Sequence, residues 1–461
     1  MRFGMWNRIW ILAAVIIAGT STQARAQPGF LLPGGGAAHA GMAGVSTAAP
    51  VDAIGALYWN PAAIGRLGRS EVSIGGSFIY PDISVSSSFP RPLQRRVDTG
   101  RTRSDNGFPL TSSLGVVYQP EDERMTYGLG LFTLGGGGVN YPADANNPIL
   151  SPTGPLRQNV LGPIYSNLTI LQLAPTAAYK LTDRLTIGAG PTVDVTLPSF
   201  DPAFFAPPDD ANGDGIGTFP AATHARPFWG GGFRLGIQYA LDDWDFGFGY
   251  TSPQWLETWQ FHARDELGNR RDLSLKASLP AIYSWGIAYH GIERLNLGLD
   301  LRYVDYANTD LYGTSVRDGG LGWDSSFVVA LGGQYQVSDR IALQAGYQYN
   351  TNPLSNTSTL FNVQGPAIVQ NTISFGTTVA ISESLSMSLG YAYGFNNSVT
   401  GTAREIPNAT IEMEASSHSL LFGLQVKFGA SKPTASTVCP TCESTSAMRI
   451  DAPPLMEQPA R

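Results

Sequence analysis

From Leu295 to Tyr303 the chain reads L-N-L-G-L-D-L-R-Y, with an apolar side chain at every odd position and Asn296, Gly298, Asp300 and Arg302 between them. A period of two marks an extended strand whose successive side chains point to opposite faces. The alternation recurs at 327–336, 341–349, 373–380, 385–393 and 420–428, where the second face carries mainly Gly, Ala, Ser, Thr and Gln. A soluble sandwich would turn large apolar groups inward and charges outward, yet these polar faces hold too little charge to meet bulk water. Inverting the assignment removes the conflict: Leu, Ile, Phe and Tyr face lipid, and small polar residues face a lumen. The pattern predicts an all-β chain folded as a transmembrane antiparallel β-barrel.

Composition agrees. Asp, Glu, Lys and Arg make up 14% of the 461 residues, against about 25% in an average soluble domain. After the first thirty residues there is no apolar run of about 18, so helices are not the spanning element. Arg2 and Arg8, the apolar stretch from Ile9 to Gly19 and the small-x-small site Ala24-Arg25-Ala26 mark residues 1–26 as an export signal. Its removal leaves 26 basic against 36 acidic residues, and an acidic surface repels a phosphate backbone, so nucleic acid is not expected as a partner.

Fourteen strands are expected, at 70–89, 108–118, 125–134, 168–180, 184–196, 227–240, 243–252, 279–290, 294–305, 323–336, 340–350, 370–381, 384–398 and 416–428. Six short turns alternate with seven long connections, as an even-stranded barrel with both ends on the periplasmic side requires. Closure pairs every strand edge, a condition the lipid interior imposes. Residues 70–430 are therefore assigned to the barrel and 431–461 to a periplasmic extension. Residues 27–69 lack strand alternation. Their Ala and Gly permit close packing and Leu57, Tyr58, Trp59 and Ile64 supply anchors, so this segment is expected to fold into the lumen as a hatch.

Ala40–Ala48 (A-G-M-A-G-V-S-T-A), followed by Asp52–Ile64 (D-A-I-G-A-L-Y-W-N-P-A-A-I), resembles the hatch of the outer-membrane long-chain fatty acid and aromatic-hydrocarbon transporter family. Leu279-Pro280 through Tyr306, then Gly346 to Pro353 and Gly365-Pro366-Ala367-Ile368, resemble its middle strands and late loop, so the likeness runs from Gly29 to about Phe428. The resemblance implies a fourteen-stranded barrel of the cell outer membrane, closed by a hatch. It implies a hydrophobic substrate, a long-chain fatty acid or an aromatic compound, that binds near the mature N-terminus and leaves sideways past a kinked third strand. It further implies a monomer surrounded by outer-membrane lipid and lipopolysaccharide and inserted by the barrel assembly machinery. Carried over by position, the ligand-binding residues are Gly29, Phe30 and Leu31, and the hatch contact is Asn60, Pro61 and Ala62. The lateral-exit strand lies within Met125 to Gly136, with Gly128 and Gly130 as its permissive points and the Gly135–Gly138 run beyond. Phe30 and Leu31 either line an acyl chain or only seal the hatch. The chain departs from the family at Pro28 and in the residues after Phe428, where Cys439-Pro440-Thr441-Cys442 could form a disulfide, a redox pair or nothing.

Asp210, Asn212 and Asp214 have the spacing of a calcium loop, but position twelve is Ala221, so a solvated turn competes with a metal site and no other cofactor is expected. The five histidines are scattered without a nucleophile motif, which argues against an enzyme, and no phosphate-binding Gly-x-x-x-x-Gly-Lys loop supplies a motor. The alternative to a passive hydrophobic-compound transporter is a general porin or structural barrel. A porin needs opposed charges at a constriction, and the lumen faces offer few, notably Arg234, Asp300, Arg302 and Lys427.

Overall fold

The computed structural model describes residues 29–91, 95–121, 124–151, 162–215, 217–223, 226–402 and 408–428. The export signal, Ile216, His224 and the extension bearing Cys439 and Cys442 lie outside the described residues. The strands are β1 (Ser70–Arg91), β2 (Arg96–Arg103), β3 (Leu110–Tyr118), β4 (Met125–Tyr141), β5 (Ile164–Lys180), β6 (Leu185–Asp201), β7 (Phe228–Leu241), β8 (Trp244–Thr251), β9 (Gln254–Leu256), β10 (Trp259–Arg264), β11 (Arg270–Leu275), β12 (Ser278–Leu279), β13 (Ala281–Ile292), β14 (Leu295–Asp305), β15 (Ser326–Ser338), β16 (Ile341–Asn350), β17 (Asn371–Ala380), β18 (Leu385–Thr402) and β19 (Thr410–Phe428). Fourteen of them, β1, β3–β8 and β13–β19, form an antiparallel ring closed between β1 and β19, with register from Ser70↔Phe428 to Ser88↔Thr410. β10 and β11 make a separate hairpin at the long-loop end.

The alternation sets the two faces. Ile74 and Phe78 on β1, Leu129 and Leu131 on β4, Leu235 and Ile237 on β7, and Leu420 and Leu424 on β19 are exposed on the outside, while Asp300 and Arg302 of β14 are buried within. Tyr118, Tyr127, Tyr179, Tyr239, Trp244 and Tyr335 are exposed near the short turns; Tyr165, Trp229, Trp255, Tyr303, Phe327 and Tyr349 are exposed toward the long loops. These are the two interfacial aromatic girdles of a spanning barrel.

Several strands run beyond the expected ends. The segment expected at 125–134 continues to Tyr141, because Gly135–Tyr141 pair with Ile164–Ile170 of β5 although glycines carry no alternation to read. β18 and β19 likewise extend to Thr402 and back to Thr410, a section whose sequence lacks the lipid-facing apolar row.

Residues 29–69 lie inside the ring. Helix α1 (Ala37–Gly41), helix α2 (Ala53–Tyr58) and a 3₁₀ turn (Pro61–Arg66) follow one another there. Asp52 caps α2 by accepting the Gly55 N–H at 2.6 Å. Asn60 caps the 3₁₀ turn by accepting the Ala62 N–H at 3.0 Å, with Pro61 at the first helical position. Glycines on the wall make the fit possible: a Cβ on Gly249 would lie 2.2 Å from the Trp59 carbonyl, and one on Gly332 2.2 Å from that of Met42.

Candidate functional site: an apolar chamber beside a break in the wall

The lumen charges serve the internal segment. Arg234 donates to the carbonyls of Leu57 and Tyr58, each at 2.6 Å. Arg302 donates to Asp300 at 2.7 Å and to the Gly44 carbonyl, and its guanidinium lies 4.3 Å from the Trp59 ring. Asp300 in turn accepts the N–H groups of Ser46 and Thr47 and the Thr47 hydroxyl. Asn60 donates to Thr47, Ile237 and Gln238, while Pro61 and Ala62 sit against Gly188 and Gly236 of the wall. A buried charge without a partner costs several kcal/mol, so each of these bonds fixes the segment against the barrel. Lys427 is half-buried at the short-turn end.

Near that end Glu71 accepts from Ala53 N–H at 2.8 Å, Ser73 and Arg69, and Asp52 lies beside it. Burial, with the Glu71 charge adding to it, pushes the Asp52 carboxyl up to about 7 against a partial offset from its bond to Gly55. Because the seated carboxyl binds its proton more tightly than an unseated one, seating is firmest below pH 4 and weakens as pH rises toward 7. Hydrogen exchange of the α2 amides should therefore be faster at pH 8 than at pH 5 after correction for intrinsic rates, and Asp52→Asn should remove the difference.

Among the described residues, one ladder of the ring ends well short of its neighbours. β3 and β4 pair from Tyr118↔Tyr127 to Ser113↔Phe132 and then part, with a bulge in β4 between Thr133 and Gly135. The edge of β4 that β3 abandons is met by the N-terminal segment: Leu32 N–H donates to the Leu134 carbonyl at 3.1 Å and Gly136 N–H to that of Phe30 at 3.0 Å, bridging Leu31 to Gly135. Farther along, Asp105 N–H reaches the Asn140 carbonyl at 2.8 Å and the Asn106 side chain that of Gly138 at 3.1 Å. Gly136 and Gly137 have φ of +142° and +152°, which a side chain would oppose.

Behind this break lies a chamber of about 670 Å³. Its residues come from both sides of the break, Ile79 and Leu110 on one and Gly135–Val139 on the other, and from the loops above. Phe30 lines it within an aromatic cluster, its ring 4.8 Å from Tyr312, 5.4 Å from Tyr306 and 6.2 Å from Trp323. Trp323 is held by a 2.6 Å bond to Asn362. A volume of this size with apolar walls suits a small ligand.

Of the residues selected from sequence, Gly29 and Phe30 line the chamber, whereas Leu31 is buried against Gly135 and does not. Gly128 and Gly130 sit in an unbroken ladder, facing Val117 and Gly115 on one side and Thr176 and Ala174 on the other, so the strand does not kink there. The departure falls at the bulge and the Gly135–Gly138 run, where β4 has lost one partner. Asp210 accepts the Gly215 N–H and Asn212 that of Asp214, so both side chains shape the turn. Among the described residues no group of three His, Cys, Asp or Glu is placed to hold a metal. His39 is fully buried, and burial drives its imidazole down to about 3, leaving it neutral. Phe200, Phe205, Tyr312 and Trp323 escaped sequence reasoning because they stand in or beside long connections, where strand periodicity says nothing; the density of aromatics in those connections was the available signal.

A closed fourteen-stranded ring with two aromatic girdles, an N-terminal segment inside it and an apolar chamber where β3 and β4 part defines a membrane β-barrel. The family model described as outer membrane protein transport protein (OMPP1/FadL/TodX) matches residues 17–429, and the chain belongs to that family of outer-membrane transporters of hydrophobic compounds. Among solved structures, the toluene transporter TodX of P. putida superposes with a TM-score of 0.63 at 18% identity, covering 87% of this chain and 100% of that one. A FadL homologue of Pseudomonas aeruginosa gives 0.65 at 19%, covering 87% and 99%. The toluene transporter TbuX of Ralstonia pickettii gives 0.60 at 17%, covering 86% and 99%. Comparison with curated proteins finds no match.

Proposed function

We propose that this protein is a passive channel, not an enzyme, that takes up long-chain fatty acids or related hydrophobic compounds. They bind in the chamber beside Phe30 and leave sideways through the break between β3 and β4. The observation that carries this reading is that one apolar chamber is lined from both edges of the break. An apolar molecule leaving there enters lipid without crossing the polar short-turn mouth. Departure requires Phe30–Leu32 to withdraw from the edge of β4, and residues 29–69 act as the hatch. Against the porin reading stand Arg234, Asp300 and Arg302, which are buried and bonded rather than facing a constriction. Each CH₂ that enters the chamber gains about 0.8 kcal/mol, so binding tightens with chain length.

Phe30→Asp tests the chamber. A carboxylate set among Tyr306, Tyr312 and Trp323 has no partner to replace water, and affinity for a hydrophobic probe should fall at least about tenfold. Quenching of tryptophan fluorescence by dodecanol, with Trp323 as the nearby reporter, measures this in barrels shown to be folded. Unchanged affinity would remove the chamber from the transport path.

A further inference from the structure

We propose that the chamber selects by charge, accepting uncharged ligands and rejecting anions, with Asp105 as the residue that sets this selectivity. The inference rests on the transport reading above and specifies its substrate class. Among the described residues that line the chamber there is no Lys, Arg or His, and the one charged side chain is Asp105. The lumen cations cannot substitute for a missing partner, because Arg234 is committed to Leu57 and Tyr58 and Arg302 to Asp300 and Gly44. Lys276, next to the lining residue Leu275, is paired with Asp310 at 3.2 Å.

Position sharpens the effect. Asp105 stands on the short segment that laces the free edge of β4 at Asn140, so this exposed residue lines the chamber at the break. A ligand carboxylate in the chamber would give up water without gaining a cation and would meet a like charge on its way past. A neutral body of the same shape suffers neither penalty. The molecules that fit are hydrocarbons, alcohols or protonated acids, and an ionised fatty acid fits only after it takes up a proton.

Two pairs of probes with matched bodies test this at pH 8, toluene against benzoate and decanol against decanoate, titrated into the purified full-length barrel. The neutral member of each pair should bind at least about tenfold more tightly. Asp105→Asn should narrow that ratio, and Asp105→Lys should narrow it further by supplying a cation at the break; retained heat-modifiable mobility shows that each variant is a folded barrel. Benzoate and decanoate binding as tightly as their neutral partners would overturn the charge filter while leaving the transport reading intact. A ratio unmoved by Asp105→Lys would overturn the role of Asp105. If neither neutral probe binds, the chamber is not a ligand site, and both readings fall.

Discussion

Deleting residues 28–66 should turn a nearly silent barrel into one with a large, steady conductance in a planar bilayer. The ring closes through strand ladders that include none of these residues, so every ladder survives the deletion and the main-chain bonds lost to the wall are those of Phe30 and Leu32 to the free edge of β4. What it loses is the content of the lumen. Residues 30–64 pack against wall glycines such as Gly115, Gly135, Gly188, Gly249 and Gly332, and Arg234, Asp300 and Arg302 bond to that segment. Once it is gone, those three groups become solvated lumen charges. Fourteen strands lie between the eight-stranded barrels that side chains fill and the 16- to 18-stranded porins that hold water, so the emptied ring should conduct at least about tenfold more than the intact one. Matched insertion is checked by the number of current steps. Equal conductance of the two forms would show that the segment does not occlude the lumen, and high conductance of both would restore the porin reading.

Legibility of this protein in its sequence follows from where side chains alternate. Between the girdles lipid demands an apolar side chain at every second position, so strand number, order and facing can be read from Leu295–Tyr303 and its equivalents, and all fourteen ring strands lie where the alternation puts them. Beyond the girdles both faces meet loops or water and the demand lapses: Gly135–Gly138 carry no alternation, and at Thr410–Ala415 the apolar Ile411 and Met413 alternate with Glu412 and Glu414 but are buried inside, the reverse of the lipid-facing pattern. The break has the same origin. Gly128 and Gly130 attract attention because glycine weakens a strand, yet two intact neighbours hold them straight; Gly135–Gly138 bend because β3 is no longer there. Whether a glycine kinks a strand depends on the partner's register, which lies elsewhere in the chain. Phe30 is legible through the family resemblance alone, and Tyr312 and Trp323, which surround it, come from a connection almost three hundred residues away.

Tying the N-terminal segment to the edge of β4 should stop uptake. The bridge between Leu31 and Gly135 places Leu32 opposite Leu134, and residues opposite one another on antiparallel strands have Cβ atoms about 4.5–5.5 Å apart, near enough for a disulfide after a small adjustment. Gly135 itself is unsuitable, since a Cβ there would lie 2.4 Å from the Phe30 carbonyl. Leu32→Cys with Leu134→Cys, in a background where Cys439→Ser and Cys442→Ser remove the tail thiols, leaves one pair able to oxidise. In the reduced state the segment can withdraw and an apolar molecule can pass from the chamber into lipid. In the oxidised state Phe30–Leu32 stays across the break, and uptake of a labelled hydrophobic compound by cells with matched surface expression should drop at least about tenfold, as expected when a gating step is blocked. Reductant should restore it, which separates a closed gate from a damaged barrel. Binding to the oxidised protein should persist, because Phe30, Tyr312 and Trp323 remain in place around the chamber. Unimpeded uptake through the cross-linked form would show that the substrate leaves elsewhere, and the short-turn mouth of the lumen would then become the route to test.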